Sequence, residues 1–208
     1  MSNTSHAALS GDTTTTPTVK GVAVRAGLHW VSAHYGLGAV QAVHDQGSEA
    51  LRRIIVPGLS SFGILSTGWY GVLVIGELLD VIVQATGPAN VEAHFRRMAS
   101  AVAHDNVTGV YKALFRLVAT PALLTAHGGR VWRSYFSHGT IDVTSAREGE
   151  LTLAIRDAGV HHATMCLMTS LVVERILVEV GYKGATLGRR RCTGRGDMEC
   201  AFQIDYLA

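Results

Sequence analysis

Apolar positions recur at helical spacing through the first 135 residues and then switch to alternation. Leu73, Leu78, Leu79, Ile82 and Val83 give residues 69–85 a broad apolar face, which predicts a helix. Gly87-Pro88 stops it, and Asn90 is placed to cap the next helix, which carries Val91, Phe95, Met98 and Val102. Asn106 is placed to cap a further helix with Val110, Leu114 and Leu117 on one side. Pro121 sits as an early residue of a helix reaching about Tyr135. Upstream, residues 20–24 read as the start of a strand, and helical segments cover residues 28–35 and 37–54. Pro57, Gly58, Ser60, Ser61 and Gly63 then break the pattern.

After Gly139 the period becomes two. Ile141 and Val143, then Leu151, Leu153 and Ile155, alternate with polar neighbours around Arg147-Glu148-Gly149, which predicts a β-hairpin. Residues 160–180 are apolar on nearly every side, through Leu167, Leu171, Val172, Ile176 and Leu177. They predict a long helix buried against the sheet, with Gly181 as its C′ residue. Residues 182–192 and 199–207 predict a second hairpin, turning at Gly194-Arg195-Gly196-Asp197. Helices first, then strand–strand–helix–strand–strand, argue an α+β fold with an antiparallel sheet packed on helices. Residues 1–18 are polar, with the run Thr13 to Thr16, and predict a disordered arm ahead of a single domain over residues 19–208.

Composition sharpens this reading. Apolar residues make up 48% of the chain and charged residues 16%. That surplus implies an exterior partly covered by a partner, as in a homodimer built on the helical half, or an enclosed apolar cavity. A net charge of +2 gives no argument for nucleic acid. The longest apolar run, residues 64–85, contains Glu77 and Asp80 and reads as a buried helix of a soluble protein rather than a transmembrane segment. The N-terminus lacks a signal-peptide pattern, and three cysteines is an odd number, so a reducing cytoplasm is the expected location.

The cysteines form the main chemical constellation. Cys166 falls in the long helix, and Cys192 and Cys200 face each other across the last hairpin. Opposite residues there place their Cβ atoms roughly 4.5–5.5 Å apart. Two thiolates at that spacing can share one ion, with Cys166 as a third ligand and His162, one turn before it, as the fourth. Glu199 and Asp197 are further candidates. The competing reading is three reduced, buried cysteines, since no CxxC pair is present.

The segment Cys192-Thr-Gly-Arg-Gly-Asp-Met-Glu-Cys200-Ala-Phe-Gln-Ile204 resembles the end of the 4-vinyl-reductase-like domain. That family is grouped with TRAPP-like and NO-signalling domains in a superfamily of ligand-binding α+β domains. In relatives that sense aromatics, three cysteines and a glutamate hold zinc, and the cysteine spacings there are similar to those here. The resemblance therefore implies a structural zinc at Cys166, Cys192 and Cys200. The glutamate position is occupied by Arg189, which cannot ligate a metal. Lys20-Gly21, Gly68-Trp69-Tyr70 with the Leu78-Leu79 helix, and residues 123–135 resemble a family of uncharacterised myxobacterial proteins of similar length.

Other motifs carry less. No dinucleotide, P-loop or nucleophile-elbow pattern occurs, and no acid–base pair stands out. Arg195-Gly196-Asp197 is explained by a turn, and Arg189-Arg190-Arg191 by a solvated strand end. Trp69, Tyr70, Trp132, Tyr135 and Phe136 either line a ligand pocket or serve as ordinary core aromatics. The resemblance implies a non-catalytic bacterial sensor or adaptor that binds a small apolar ligand or lipid and signals to a protein partner. A structural interaction module without ligand or metal, and an accessory factor of a reductase, are the alternatives.

Overall fold

The computed structural model of the protein describes residues 16–108 and 112–207. Its order is β1 (Thr18–Lys20), α1 (Gly21–Tyr35), α2 (Leu37–Gln46), α3 (Glu49–Ile54), β2 (Trp69–Gly71), α4 (Val72–Thr86), α5 (Val91–Thr108), α6 (Lys112–Phe115), a 3-10 turn (Arg116–Val118) and α7 (Pro121–Tyr135). The chain then adds β3 (Thr140–Arg147), β4 (Glu150–Arg156), α8 (Ala163–Val180), β5 (Thr186–Arg191) and β6 (Cys200–Asp205). This is the α+β architecture that the element order predicts.

Two cores lie side by side. The helical half packs α1, α2, α4 and α5 around Leu28, Val31, Val40, Ile82, Phe95 and Met98. The other half is an antiparallel sheet in the order β3-β4-β6-β5. Alternation along β4 sends Leu151, Leu153 and Ile155 to one face, where they stand opposite Ile204, Phe202 and Cys200 of β6. Helix α8 belongs to both halves: Met165, Met168 and Leu171 join the first core and Leu177 the second. A two-stranded ribbon of β1 and β2 ties the start of the chain to the end of α7, through a bridge between Val19 and Phe136.

Several boundaries differ from expectation. Residues 21–24 continue into α1 rather than extending a strand, because Val24, Leu28 and Val31 form one buried helical stripe. The helix expected over 37–54 is two helices, parted at Gly47 and Ser48. Ser48 caps α3, its hydroxyl accepting the Leu51 N–H at 3.3 Å. Trp69–Gly71 is a strand, and only then does α4 begin. Asn106 caps no new helix: it lies inside α5, and its side chain donates to the Val102 carbonyl at 2.6 Å. Val110, expected on the following helix, lies outside the described residues. So does most of the expected N-terminal arm, although Thr18 already pairs in β1 and the Pro17 carbonyl accepts the Val72 N–H at 2.9 Å. No single helix among the described residues is long and apolar enough to cross a membrane. The pair α4 and α5, which reaches that length together, is bent by 117°.

Candidate ligand cavity and thiol cluster

A cavity of about 160 Å³ lies in the seam between the two cores. The helical half contributes Leu28 of α1, Ile75 and Leu78 of α4, and Met98 of α5. The sheet half contributes Trp132 of α7, Ile141 of β3 and Leu153 of β4, with Met165, Met168 and Val172 from the shared helix α8. The wall is almost wholly carbon. Its polar groups are few: Thr169, and a pair formed by Tyr135, whose hydroxyl donates to Asn106 Oδ1 at 2.7 Å. Asn106 is itself buried and bonded back to α5, so this pair is a satisfied polar network rather than an open handle.

Of the five aromatic residues expected at a pocket, three are there. Trp132, Tyr135 and Phe136 line the cavity. Trp132 stacks on Phe136 with ring centroids 4.1 Å apart, and its indole N–H donates to the His138 carbonyl at 3.0 Å. Trp69 and Tyr70 do not line it. Trp69 is 43% exposed beneath the Lys20 ammonium, which stands 4.3 Å from its ring centroid. Tyr70 accepts the Leu65 N–H at 2.8 Å and braces the loop before β2.

A smaller space of about 80 Å³ shares Trp132, Phe136, Met165 and Thr169 with the main cavity. Its far side carries His138, His161, His162, Cys166 and Cys200. The three cysteine sulfurs converge there as the hairpin geometry predicts. With a nitrogen of His161 they all lie within 4.8 Å of one another. The imidazole in the cluster is His161, not the expected His162. Helix α8 starts at Ala163, so His162 is its cap residue: its carbonyl accepts the Cys166 N–H at 2.9 Å, but its backbone is extended and does not set its ring on one helical face with Cys166.

The two neighbouring rings then point to different places, and a glycine makes room for each. A Cβ on Gly194 would stand 2.2 Å from the His161 ring, and one on Gly76 would stand 2.4 Å from the His162 ring. His161 Nε2 lies 3.3 Å from Cys192 Sγ, while His162 Nε2 lies 3.5 Å from Asp80 Oδ2. The carboxylates weighed as ligands are engaged elsewhere: Glu199 pairs with Arg156 and Arg191, and Asp197 accepts the Cys192 N–H at 2.7 Å.

The cluster is electrically quiet. Burial pushes the Cys166 thiol up to about 12, the neighbouring thiols add to this, and the Arg189 guanidinium opposes it. Burial also holds His161 below the ordinary imidazole range, helped by Arg189 and His162. The contact between His161 and Cys192 joins the segment just before α8 to the start of the β5–β6 turn.

No protein-family model matches the chain, and no curated protein does. The fold is that of solved H-NOX proteins. The iron(II), unliganded H-NOX protein from K. algicida is 18% identical, with 91% of this chain and 97% of that chain covered at a TM-score of 0.64. The H-NOX protein from S. oneidensis in its Fe(II)NO state is 11% identical, with coverage of 91% and 99% at a TM-score of 0.61. A third structure, described as modulating haem redox potential through porphyrin distortion, is 10% identical, with coverage of 90% and 99% at a TM-score of 0.59. At such identities the likeness shows the fold alone.

These neighbours correct the expected kinship. They are H-NOX proteins, not 4-vinyl-reductase-like or TRAPP-like domains, and no family model supports either resemblance drawn from the sequence. The structural zinc implied by that kinship is corrected with it: the neighbours are described with iron(II) and haem, not zinc. The cavity wall of this chain does not fit a haem, since no histidine, cysteine, lysine or arginine lines it among the described residues.

Proposed function

We propose that the chain is a non-catalytic sensor domain that takes a small apolar ligand into the cavity between its two halves and passes the signal on by protein contact. The observation that carries this reading is the carbon-lined void of about 160 Å³ at the seam. An engineered void of about 150 Å³ in another protein stays dry and binds benzene or xenon. At about 24 cal/mol per Å³, leaving such a void empty costs about 4 kcal/mol, so a guest that fills it offsets a substantial loss. Among the described residues the wall carries no carboxylate, imidazole, thiol or amine for a reaction, which supports a binding role over an enzymatic one.

The test is thermal unfolding of the whole chain with benzene, toluene or xenon, beside the cavity-filling variant Val102→Phe. Val102 is buried and lines the void. A guest at ten times its Kd adds about 1.4 kcal/mol, or roughly 3–6 °C for a chain of this size. The wild type gains this and Val102→Phe does not. Equal shifts in both, or none in either, leave only a structural interaction module.

A further inference from the structure

We infer that this chain uses the H-NOX fold without haem, and that its cavity recognises an uncharged ligand about the size of one aromatic ring directly. The inference rests on the same cavity as the proposed function but makes a separate claim about what is excluded from it. A haem asks three things of its site: space for four linked pyrrole rings, an axial ligand for iron, and partners for two carboxylates. The described residues scatter these three provisions over different places.

Space is the first. The seam cavity matches a void that holds one benzene, and a macrocycle of four rings is several times larger. The walls that would have to part are core, with Leu28 and Met98 wholly buried on one side and Leu153 nearly so on the other.

The second is the axial ligand. Buried His94 points away from the cavity, its Nδ1 lying 3.1 Å from the Tyr35 hydroxyl and its ring edge-on to Trp30 at 5.0 Å. His127 lies on α7 between Leu124 and Gly128, which line the cavity, yet does not line it itself. His138, His161 and His162 stand in the smaller space behind Trp132 and Phe136. Among the residues that do line the cavity, those with a heteroatom able to meet iron are Met98, Met165, Met168, Thr169 and Tyr135. Methionine ligates haem iron beside a histidine, and the tyrosine hydroxyl is already given to Asn106.

The third is charge. Two carboxylates in a carbon-lined wall without a cation would be left unpaired at a cost of several kcal/mol each. The Arg189 guanidinium is not part of the cavity wall. It lines a separate open groove together with Asp80, whose own negative charge opposes an anion there.

An uncharged ring compound escapes all three requirements. It needs neither a metal nor a counter-charge, and it matches the methionine-rich and aromatic wall, where sulfur and ring faces adapt to a guest of variable outline.

The experiment uses the full chain. Haemin, then dithionite-reduced haem, is titrated into the wild type and Val102→Phe while the Soret band is followed, with a parallel benzene titration read by thermal shift. The expected result is a Soret spectrum that remains that of free haem in both proteins, together with a benzene-dependent shift in the wild type. Saturable binding of one haem per chain with a sharpened, shifted Soret band that Val102→Phe abolishes overturns the inference. Haem binding that is the same in both proteins and linear with concentration marks surface adsorption and agrees with it. Failure of both haem and benzene to bind sinks the proposed ligand-sensing function together with the ring-sized guest inferred here and leaves the exclusion of haem standing, whereas saturable haem binding overturns that exclusion, so the two failures are distinguishable.

Discussion

Replacing Trp132 by alanine removes the partition between the two internal spaces. The side chain is 8% exposed, stacks on Phe136, and donates its indole N–H to the His138 carbonyl. Its loss joins the voids of about 160 and 80 Å³ and adds the volume of the ring itself. Large-to-small changes of a buried tryptophan cost about 3–5 kcal/mol, and the relaxation of the surrounding helices decides where in that range the value falls. Trp132 belongs to the sheet-side core and lines both spaces, so little neighbouring bulk is available to fill the gap and the upper half of the range is expected. For a chain of this length that is a fall in Tm of about 8–20 °C.

Trp132→Phe separates two contributions. It keeps a ring against Phe136 and drops the hydrogen bond, so it should cost only about 1–2 kcal/mol. The alanine variant then carries a void shaped for the missing side chain. Indole added at ten times its Kd for the enlarged void should return about 1.4 kcal/mol, or roughly 3–6 °C, and should do less for the wild type at the same concentration, because the wild type lacks the space shaped for an indole ring. Calorimetry with and without indole measures all of this. A loss under about 1 kcal/mol in Trp132→Ala, or an indole effect equal in both proteins, would mean that the ring is not the wall that joins the spaces.

Two further perturbations probe other parts of the same seam. Gly76→Ala should cost about 1–3 kcal/mol because the new methyl meets the His162 ring, whereas in a His162→Ala background it should be neutral or stabilising through better helix propensity; a double-mutant cycle by urea denaturation reads the difference. His94 is held below its ordinary pKa by burial, with the charge of Arg97 adding to the effect, so the unfolded chain takes up this proton first. The stability it contributes is therefore complete above about pH 6.5 and is lost as pH falls below that value, and Tm should drop more steeply between pH 7 and 5 in the wild type than in His94→Leu; parallel slopes would exclude His94 as the cause.

How much of this could be read from the residues differs by element. The switch from helical spacing to alternation at Gly139 is carried by side chains that the sheet buries, so the class and the C-terminal order were legible. The division of residues 37–54 was not, because Gly47-Ser48 is a weak break in a stretch whose apolar spacing runs on. Strand β2 was hidden for a similar reason: Trp69, Tyr70 and Gly71 extend the apolar run of α4, and only pairing with residues 18–20 makes them a strand. That Cys192 and Cys200 face each other followed from hairpin register, and Cys166 joins them from α8. The choice of imidazole did not, since it turned on whether the helix began at residue 160 or 163. The apolar surplus allowed for a cavity but could not place it, because Leu28, Met98 and Leu153 read as core whether or not the space between them is filled. Kinship failed for the opposite reason. A short cysteine pattern looked specific, while the shared fold is spread over more than nine-tenths of the chain at 18% identity in the K. algicida comparison and leaves no linear motif.

The position of the void bears on how a guest could be sensed. A ligand buried inside one finished core stabilises that core and changes nothing else, because it makes the same contacts whatever the neighbouring half does. Here Ile75, Leu78 and Met98 belong to one core and Trp132, Ile141 and Leu153 to the sheet side, and all line one space. A guest touching both sets has a binding free energy that depends on their separation, and that dependence is what allows occupancy to shift one half against the other. Helix α8, shared by both cores, resists large rotations. On the proposed reading, a response would run through small adjustments at α7, whose end is tied through Phe136 and Val19 to the β1–β2 ribbon.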